Sequence, residues 1–369
     1  MEKLSKIILH LSPLSLIVAA FVLTYLAIPK IVKFAKKRKL YDMPDARKEH
    51  KSPIPALGGI SIMAGMIPSL IFVCIQNPSI ETLVFIFGLI TLFITGVIDD
   101  IMLFSAMKRL IIQLIIATCI VLSGVRFPHL FGILGMDHLP LTLIMILNII
   151  IITGIINAFN LIDGINGLAG GLGCISIFIL GILLVVKGQT SYAIIAFSAA
   201  ISYLAFLRYN MKPTFIFMGD NGSLVLGYLV AFFSLKLLQN APVTDGTDSN
   251  TVLKIILAIC SIPVMDALRV FTGRMLKGKS PFSPDKTHIH HFLVRKGFSH
   301  HRSSLILYVV HITLILLALI TIHVPILYII IINVIIVTAL TVWLNGPLQI
   351  GKSLARKGIN RKTIISKTN

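Results

Sequence analysis

The sequence predicts an all-α polytopic integral membrane protein, and three observations carry that prediction. The chain is 56% hydrophobic and 13% charged over 369 residues, where a soluble domain carries about 25% charge. Its apolar residues come in long runs rather than at amphipathic spacing, as helices spanning lipid require. Its basic residues cluster beside those runs. A water-soluble binding module is thereby set aside. So is an outer-membrane barrel, whose strands would show short alternating patterns.

A spanning helix needs about 20 apolar residues. Eleven segments qualify: 12–29, 57–76, 79–98, 109–125, 141–158, 168–186, 190–207, 222–239, 251–270, 303–321 and 325–345. Short polar breaks, such as Asn77–Pro78 and Lys187–Gly188–Gln189, join neighbours into hairpins. The break near His323 and Pro325 is very short, and merging the last pair would leave ten spans. The first run lacks a small-residue cleavage site and reads as a membrane helix. Cys74, Cys119, Cys174 and Cys260 all lie in apolar runs, so they read as small core residues rather than disulfides, metal ligands or nucleophiles.

Charge sets the orientation. The formal net charge is +19. Nucleic acid would be one reason for it, but the positive-inside rule accounts for it better. If the segment after the first span is cytoplasmic, that side holds 27 of the 33 Lys and Arg residues. The other side keeps Lys3, Lys6, Arg126, Lys187, Lys236 and Lys254. The expectation is an N-terminus outside, a C-terminus in the cytoplasm, and no nucleic-acid partner. On that reading residues 1–346 are one transmembrane domain, with cytoplasmic loops 30–56, 99–109, 159–168, 208–222 and 271–302. Residues 347–369 form a basic cytoplasmic tail facing lipid headgroups. No internal repeat and no second soluble domain is evident.

The acids point to the chemistry. Nine of the 14 fall on the predicted cytoplasmic side, and Asp99, Asp100, Asp163, Asp220 and Asp266 sit close to helix ends. Topology calls for bases there, not acids. Several converging carboxylates at a membrane edge mark a site. Asp99–Asp100 ends the third span, and adjacent carboxylates repel unless a divalent cation or a shared proton relieves them. Magnesium, usually held by one or two carboxylates plus substrate phosphates, suits that pair. An Asp pair capping the following segment is the plainer alternative.

Asn157, Asn160 and Asp163 follow at three-residue intervals, which a helical end would place near one face. The run continues through Gly164, Asn166, Gly167, Gly170 and Gly171, allowing a tight turn and close approach of a ligand to backbone. The next span would present free N–H groups to an anion. Gly219-Asp220-Asn221-Gly222-Ser223 again precedes a span, with one carboxylate, small flanks and a hydroxyl suited to metal or phosphate, or else to a plain N-cap. The stretch from Ser280 to His291 carries Asp285, Lys286, His288, His290 and His291. Three histidines in four residues neutralise or protonate phosphate oxygens, or bind metal. A zinc site would need histidines and carboxylates alone, because no cysteine is near. Arg269, Arg274, Lys277 and Lys279 upstream add charge suited to a nucleotide diphosphate. Arg47 to Gly59 reads either as an ordinary positive-inside loop or, from its prolines and glycines, as a fixed entry into the second span.

From about Arg47 to Arg302 these motifs resemble the polyprenyl-phosphate N-acetylhexosamine-1-phosphate transferases, the glycosyltransferase 4 family. The loop Ser280-Pro-Phe-Ser-Pro-Asp-Lys-Thr-His-Ile-His-His is most similar to the WecA-type branch, which makes undecaprenyl-diphosphate-N-acetylglucosamine. The resemblance implies a magnesium-dependent enzyme, with manganese as an alternative ion, in the bacterial inner membrane with its site on the cytoplasmic face. It would move N-acetylglucosamine 1-phosphate from UDP-N-acetylglucosamine to undecaprenyl phosphate and release UMP. It also admits a homodimer. Asp99, Asp100, Asp163 and Asp220 match catalytic positions. Asp220 matches the aspartate expected to hold magnesium, with Asp99 and Asp100 as further metal candidates. Asn157, Asn160, Asn166, Asp285, His288, His290 and His291 match substrate-binding positions, and Lys51 and Arg109 match basic positions that hold phosphates. One departure stands out: the family usually reads Asp-Gly-x-Asp-Gly, and this chain has Asn166 at the second acid. An amide there hydrogen-bonds but supplies no charge, which leaves open another UDP-N-acetylhexosamine or the muramoyl-pentapeptide donor. A transporter is the rival from another class. It would place its polar residues near the midplane within repeats.

Overall fold

The computed structural model describes residues 12–41, 53–102, 104–131, 139–211, 213–240, 248–278, 280 and 287–345, the side chains of Asp248 and Asn345 excepted. Lys51, Asp285 and the basic tail therefore lie outside the described residues. Among the described residues there are twelve α-helices and no strand. They are α1 (Pro13–Arg38), α2 (Gly58–Gln76), α3 (Ile80–Met102), α4 (Ala106–Leu122), α5 (Leu141–Leu161), α6 (Leu168–Val186), α7 (Thr190–Asn210), α8 (Asp220–Leu238), α9 (Asp248–Met275), α10 (Ile289–Arg295), α11 (His300–Ile320) and α12 (Ile326–Asn345).

Every expected span has a helix. Ten of them are long and apolar enough to cross a membrane. The eleventh, α4, has 17 residues, or about 25 Å at 1.5 Å per residue, short of a hydrocarbon core of about 30 Å. The last two spans stay separate, because α11 ends at Ile320 and Pro325 precedes α12. The larger differences are at the polar ends. Helix α1 was expected to stop near residue 29 and instead runs to Arg38, through Pro29. Lys36, Lys37 and Arg38 fill its last turn, where cations favour a helix C-terminus, and Lys39 closes it in a left-handed conformation. Likewise α3 extends through Asp99 and Asp100, and α9 extends to Met275. The loop predicted over 271–302 therefore begins and ends in helix and carries the short α10 within it.

Helix α8 is the axis of the molecule. It packs against α2, α3, α5 and α6, and its side chains are buried from Asn221 to Leu238. It is also the least apolar of the ten long helices. A helix that faces other helices instead of lipid gains from small and hydroxyl residues that let backbones approach. Gly222, Ser223, Gly227 and Ser234 serve that purpose here. At the C-terminal end of α8, Lys236 pairs with Glu81, and Gln239 donates to Glu81 at 2.6 Å. The N-terminal end of α8 meets the motifs.

Candidate active site

Four helix ends deliver the chemistry. Asp99 and Asp100 stand on the last turn of α3 and Arg109 on the first turn of α4. Asn157 and Asn160 stand on the last turns of α5, and Asp220 and Asn221 open α8. The adjacent carboxylates of α3 have different work. Asp100 accepts the backbone N–H of Asp220 and of Asn221, both at 2.9 Å, and the Asn221 side-chain amide. It thus serves as the anion at the start of α8, which has no side-chain cap of its own. Asp99 accepts from Phe104 N at 2.8 Å and pairs with Arg109. The alternative of a pair capping the following segment is thus met by Asp99 alone, on Phe104 N, while Asp100 caps a helix far along the chain.

Arg109 joins the halves of the site, because one guanidinium nitrogen donates to both Asp99 and Asp220. On its other oxygen Asp220 accepts from Asn160 at 2.8 Å, and Asn160 also donates to Ser223 Oγ at 2.9 Å. The backbone must come close for this to form. Gly219, at φ +74°, precedes α8, and a Cβ there would lie 2.1 Å from the Ala56 carbonyl oxygen. That oxygen accepts from Asn221 at 3.0 Å. Gly58 N donates to Phe217 O, Gly59 N to Met218 O, and Phe217 N to Pro55 O. The segment before α2 is thus the fixed entry that its prolines and glycines predicted.

The turn after α5 carries Asp163 and Asn166. Crowding by surrounding protein pushes the Asp163 carboxyl up to about 8, with Asp220 and Asp100 adding repulsion. Part of the residue still reaches the surface, so the group is poised between its charged and neutral forms. Asn166 points elsewhere: its side-chain amide donates to Thr214 Oγ1 at 2.7 Å, and its backbone carbonyl accepts from Ser304 Oγ at 2.9 Å. Gly167 N donates to Asn210 at 2.6 Å, and Tyr308 donates to Gly167 O. The turn is thus locked to α7 and α11, by residues that no local motif announced.

The three histidines are not equivalent. His288 Nδ1 faces Asp266 at 2.8 Å. His290 is 1% exposed, neither ring nitrogen has a partner, and burial pushes it down to about 3, so it is neutral. Its Nε2 lies where a Cβ on Gly164 would be, at 2.1 Å. Among the described residues no group of three His, Cys, Asp or Glu side chains could hold a metal ion. The described histidines therefore do not form the zinc site that their spacing left open. Asp99 and Asp220, by contrast, converge on one cationic nitrogen, so two hard oxygen donors face one cation position. That donor set fits magnesium completed by substrate phosphates.

A groove of about 560 Å³ runs from this centre. Arg109, Asn160 and His290 line its polar end; Leu110, Leu114 and Ile150 line its apolar end. Leu114 and Ile150 are exposed on helices that read as membrane-facing, so the apolar end opens toward lipid. Asn157 lines the wall between, its amide donating to Gln113 at 2.6 Å. A polytopic membrane protein with an arginine and histidines lining a lipid-open groove, and two carboxylates on that arginine, is suited to phosphates at a membrane edge.

The family model described as glycosyl transferase family 4 matches residues 82–238. The chain is 34% identical over 306 residues to a Bacillus subtilis (strain 168) protein named a probable undecaprenyl-phosphate N-acetylglucosaminyl 1-phosphate transferase, covering 80% of this chain and 82% of that one. It is 34% identical over 291 residues to the undecaprenyl-phosphate alpha-N-acetylglucosaminyl 1-phosphate transferase of Escherichia coli (strain K12), covering 77% of each. The protein of that name from Yersinia pestis is 34% identical over 277 residues, covering 72% of this chain and 73% of that one. The chain belongs to glycosyl transferase family 4.

Proposed function

We propose that this enzyme transfers N-acetylglucosamine 1-phosphate from UDP-N-acetylglucosamine to undecaprenyl phosphate, giving undecaprenyl-diphosphate-N-acetylglucosamine and UMP. The observation that carries the reading is the groove. It joins a lipid-facing apolar channel to the Asp99–Arg109–Asp220 centre and the histidines, and the relatives' names give the lipid acceptor and the transferred N-acetylglucosaminyl 1-phosphate group. The acceptor's chain would enter between α4 and α5 with its phosphate toward Arg109. Its oxygen attacks the β-phosphorus of the donor, the bond to the bridging oxygen breaks, and UMP leaves with that oxygen. The nucleophile is already anionic, so the protein mainly aligns and neutralises. Arg109 is placed to hold phosphate oxygens, and neutral His290 offers a ring nitrogen without adding charge. Asp99 and Asp220 would hold magnesium, which supplies positive charge to the diphosphate. Asp163 stands near them, where its carboxyl can exchange a proton with the acceptor phosphate.

The basic residues argue for a cytoplasmic site in a bacterial inner membrane, with the N-terminus outside. All four contributing helix ends lie at one end of the bundle, unlike the midplane site of a transporter. Asn166 in place of the usual acid, with its amide committed to Thr214, favours a second reading in which another UDP-N-acetylhexosamine is the donor. The test is UMP release by purified protein given magnesium, undecaprenyl phosphate and a panel of UDP-sugars. Release with UDP-N-acetylglucosamine is expected. Release only with a different UDP-sugar would change the donor and keep the reaction. No release with any donor, from folded protein, would overturn it.

A further inference from the structure

Asp266 is 2% exposed and lies well along α9. A carboxylate so buried needs partners, and it has three. Oδ2 faces His288 Nδ1 at 2.8 Å. Oδ1 accepts Ile289 N at 3.0 Å and Arg269 Nη2 at 2.6 Å. Arg269 also donates to the Thr287 carbonyl and lies over the Phe292 ring. One carboxylate thus grips the segment leading into α10 by backbone and by side chain. Ile289 is the first residue of that helix, and the N-cap His288 makes no capping bond with its own side chain. Asp266, from another helix, fills that place.

The second consequence concerns the ring. A carboxylate facing Nδ1 fixes the proton there, so Nε2 is the nitrogen left for the groove that His288 lines. His290 has no such partner, so the orientation and tautomer of His288, unlike those of His290, are set from behind.

We propose that Asp266 is a positioning residue for the reaction: it sets the register of α10 and holds His288 with its proton on Nδ1, presenting Nε2 to the groove to accept a hydrogen bond from a hydroxyl or N–H of the sugar-nucleotide donor. This rests on the reaction proposed above. It is tested with Asp266→Asn, Asp266→Glu, His288→Gln and the Asp266→Asn/His288→Gln double variant, in full-length detergent-purified protein. Asp266→Asn should lower kcat for UMP release about 10- to 100-fold, the scale for losing a group that orients a ligand from behind. KM for undecaprenyl phosphate should not change, and Asp266→Glu should regain part of the rate. The double variant should be no slower than His288→Gln, because the two act as one unit. A wild-type kcat in Asp266→Asn, or losses that multiply in the double variant, would overturn the proposal. Nitrogen-15 spectra of histidine-labelled protein decide it independently of turnover. The signal that His288→Gln removes should report a protonated Nδ1, and Asp266→Asn should shift it. An unprotonated Nδ1 in the unsubstituted protein would overturn the proposal. If no UDP-sugar yields UMP, the reaction fails while these spectra still decide the positioning role.

Discussion

Asp100 holds the backbone N–H of Asp220 on one carboxylate oxygen at 2.9 Å, so the residue that begins the central helix is placed by a residue that ends another. The other oxygen takes Asn221 twice, by backbone and by side chain. Of two neighbouring aspartates, one therefore builds the site while Asp99, on Arg109, faces it.

That division predicts different phenotypes. Asp100→Asn would set an amide N–H₂ against the donors of Asn221 and leave part-buried groups unsatisfied, at about 1–3 kcal/mol. The melting temperature in detergent should fall by several degrees, and UMP release should fall with it. Asp99→Asn should lose UMP release while melting close to the unsubstituted protein. Equal melting of the two variants would refute the division.

Gly164 makes room for His290. A methyl group there would lie 2.1 Å from Nε2, and the ring is buried with no polar partner to hold it. Gly164→Ala should displace the ring and reduce UMP release by tenfold or more while the helices stay intact by circular dichroism. Retention of full activity would mean that the ring has no bearing on turnover.

Asp163 predicts a pH dependence of stability. Its folded carboxyl is raised to about 8 from a usual 3.8, through burial first and then through Asp220 and Asp100. A raised acid favours folding fully below its unfolded value, and that contribution is lost as pH climbs through the folded one. Between pH 4 and 8, then, the unsubstituted protein should lose stability that Asp163→Asn does not. In metal-free buffer the variant's advantage in melting temperature should widen from pH 5 to pH 9. A constant gap would contradict the assignment.

Much of this was legible in the sequence, for identifiable reasons. The eleven longer helices follow from the lengths of apolar runs, while the seven-residue α10 has no such run behind it. The residues at the centre, Asp99, Asp100, Asn160 and Asp220, were legible because acids and amides at helix ends have few structural excuses on a membrane face. Helix ends were less legible. Hydropathy marks where lipid stops, whereas α1, α3 and α9 continue past it, to Arg38, Met102 and Met275. The supporting partners were not legible as partners. Asn210, Thr214, Tyr308 and Gln113 act on backbone or side chains of distant segments, and nothing in their own neighbourhood marks them. Asp266 was visible as an acid near a helix end, but its bond to His288 exists only once α9 and α10 are packed.

The most direct test of the central claim, that Asp99, Arg109 and Asp220 form the phosphoryl-transfer centre, is UMP release by Asp220→Asn beside the unsubstituted protein. Both would be given magnesium, undecaprenyl phosphate and UDP-N-acetylglucosamine. The account predicts magnesium-dependent release by the unsubstituted protein and a loss of at least about 100-fold in the variant, the scale for removing one preorganised electrostatic group. Turnover by a folded Asp220→Asn at the unsubstituted rate would contradict it.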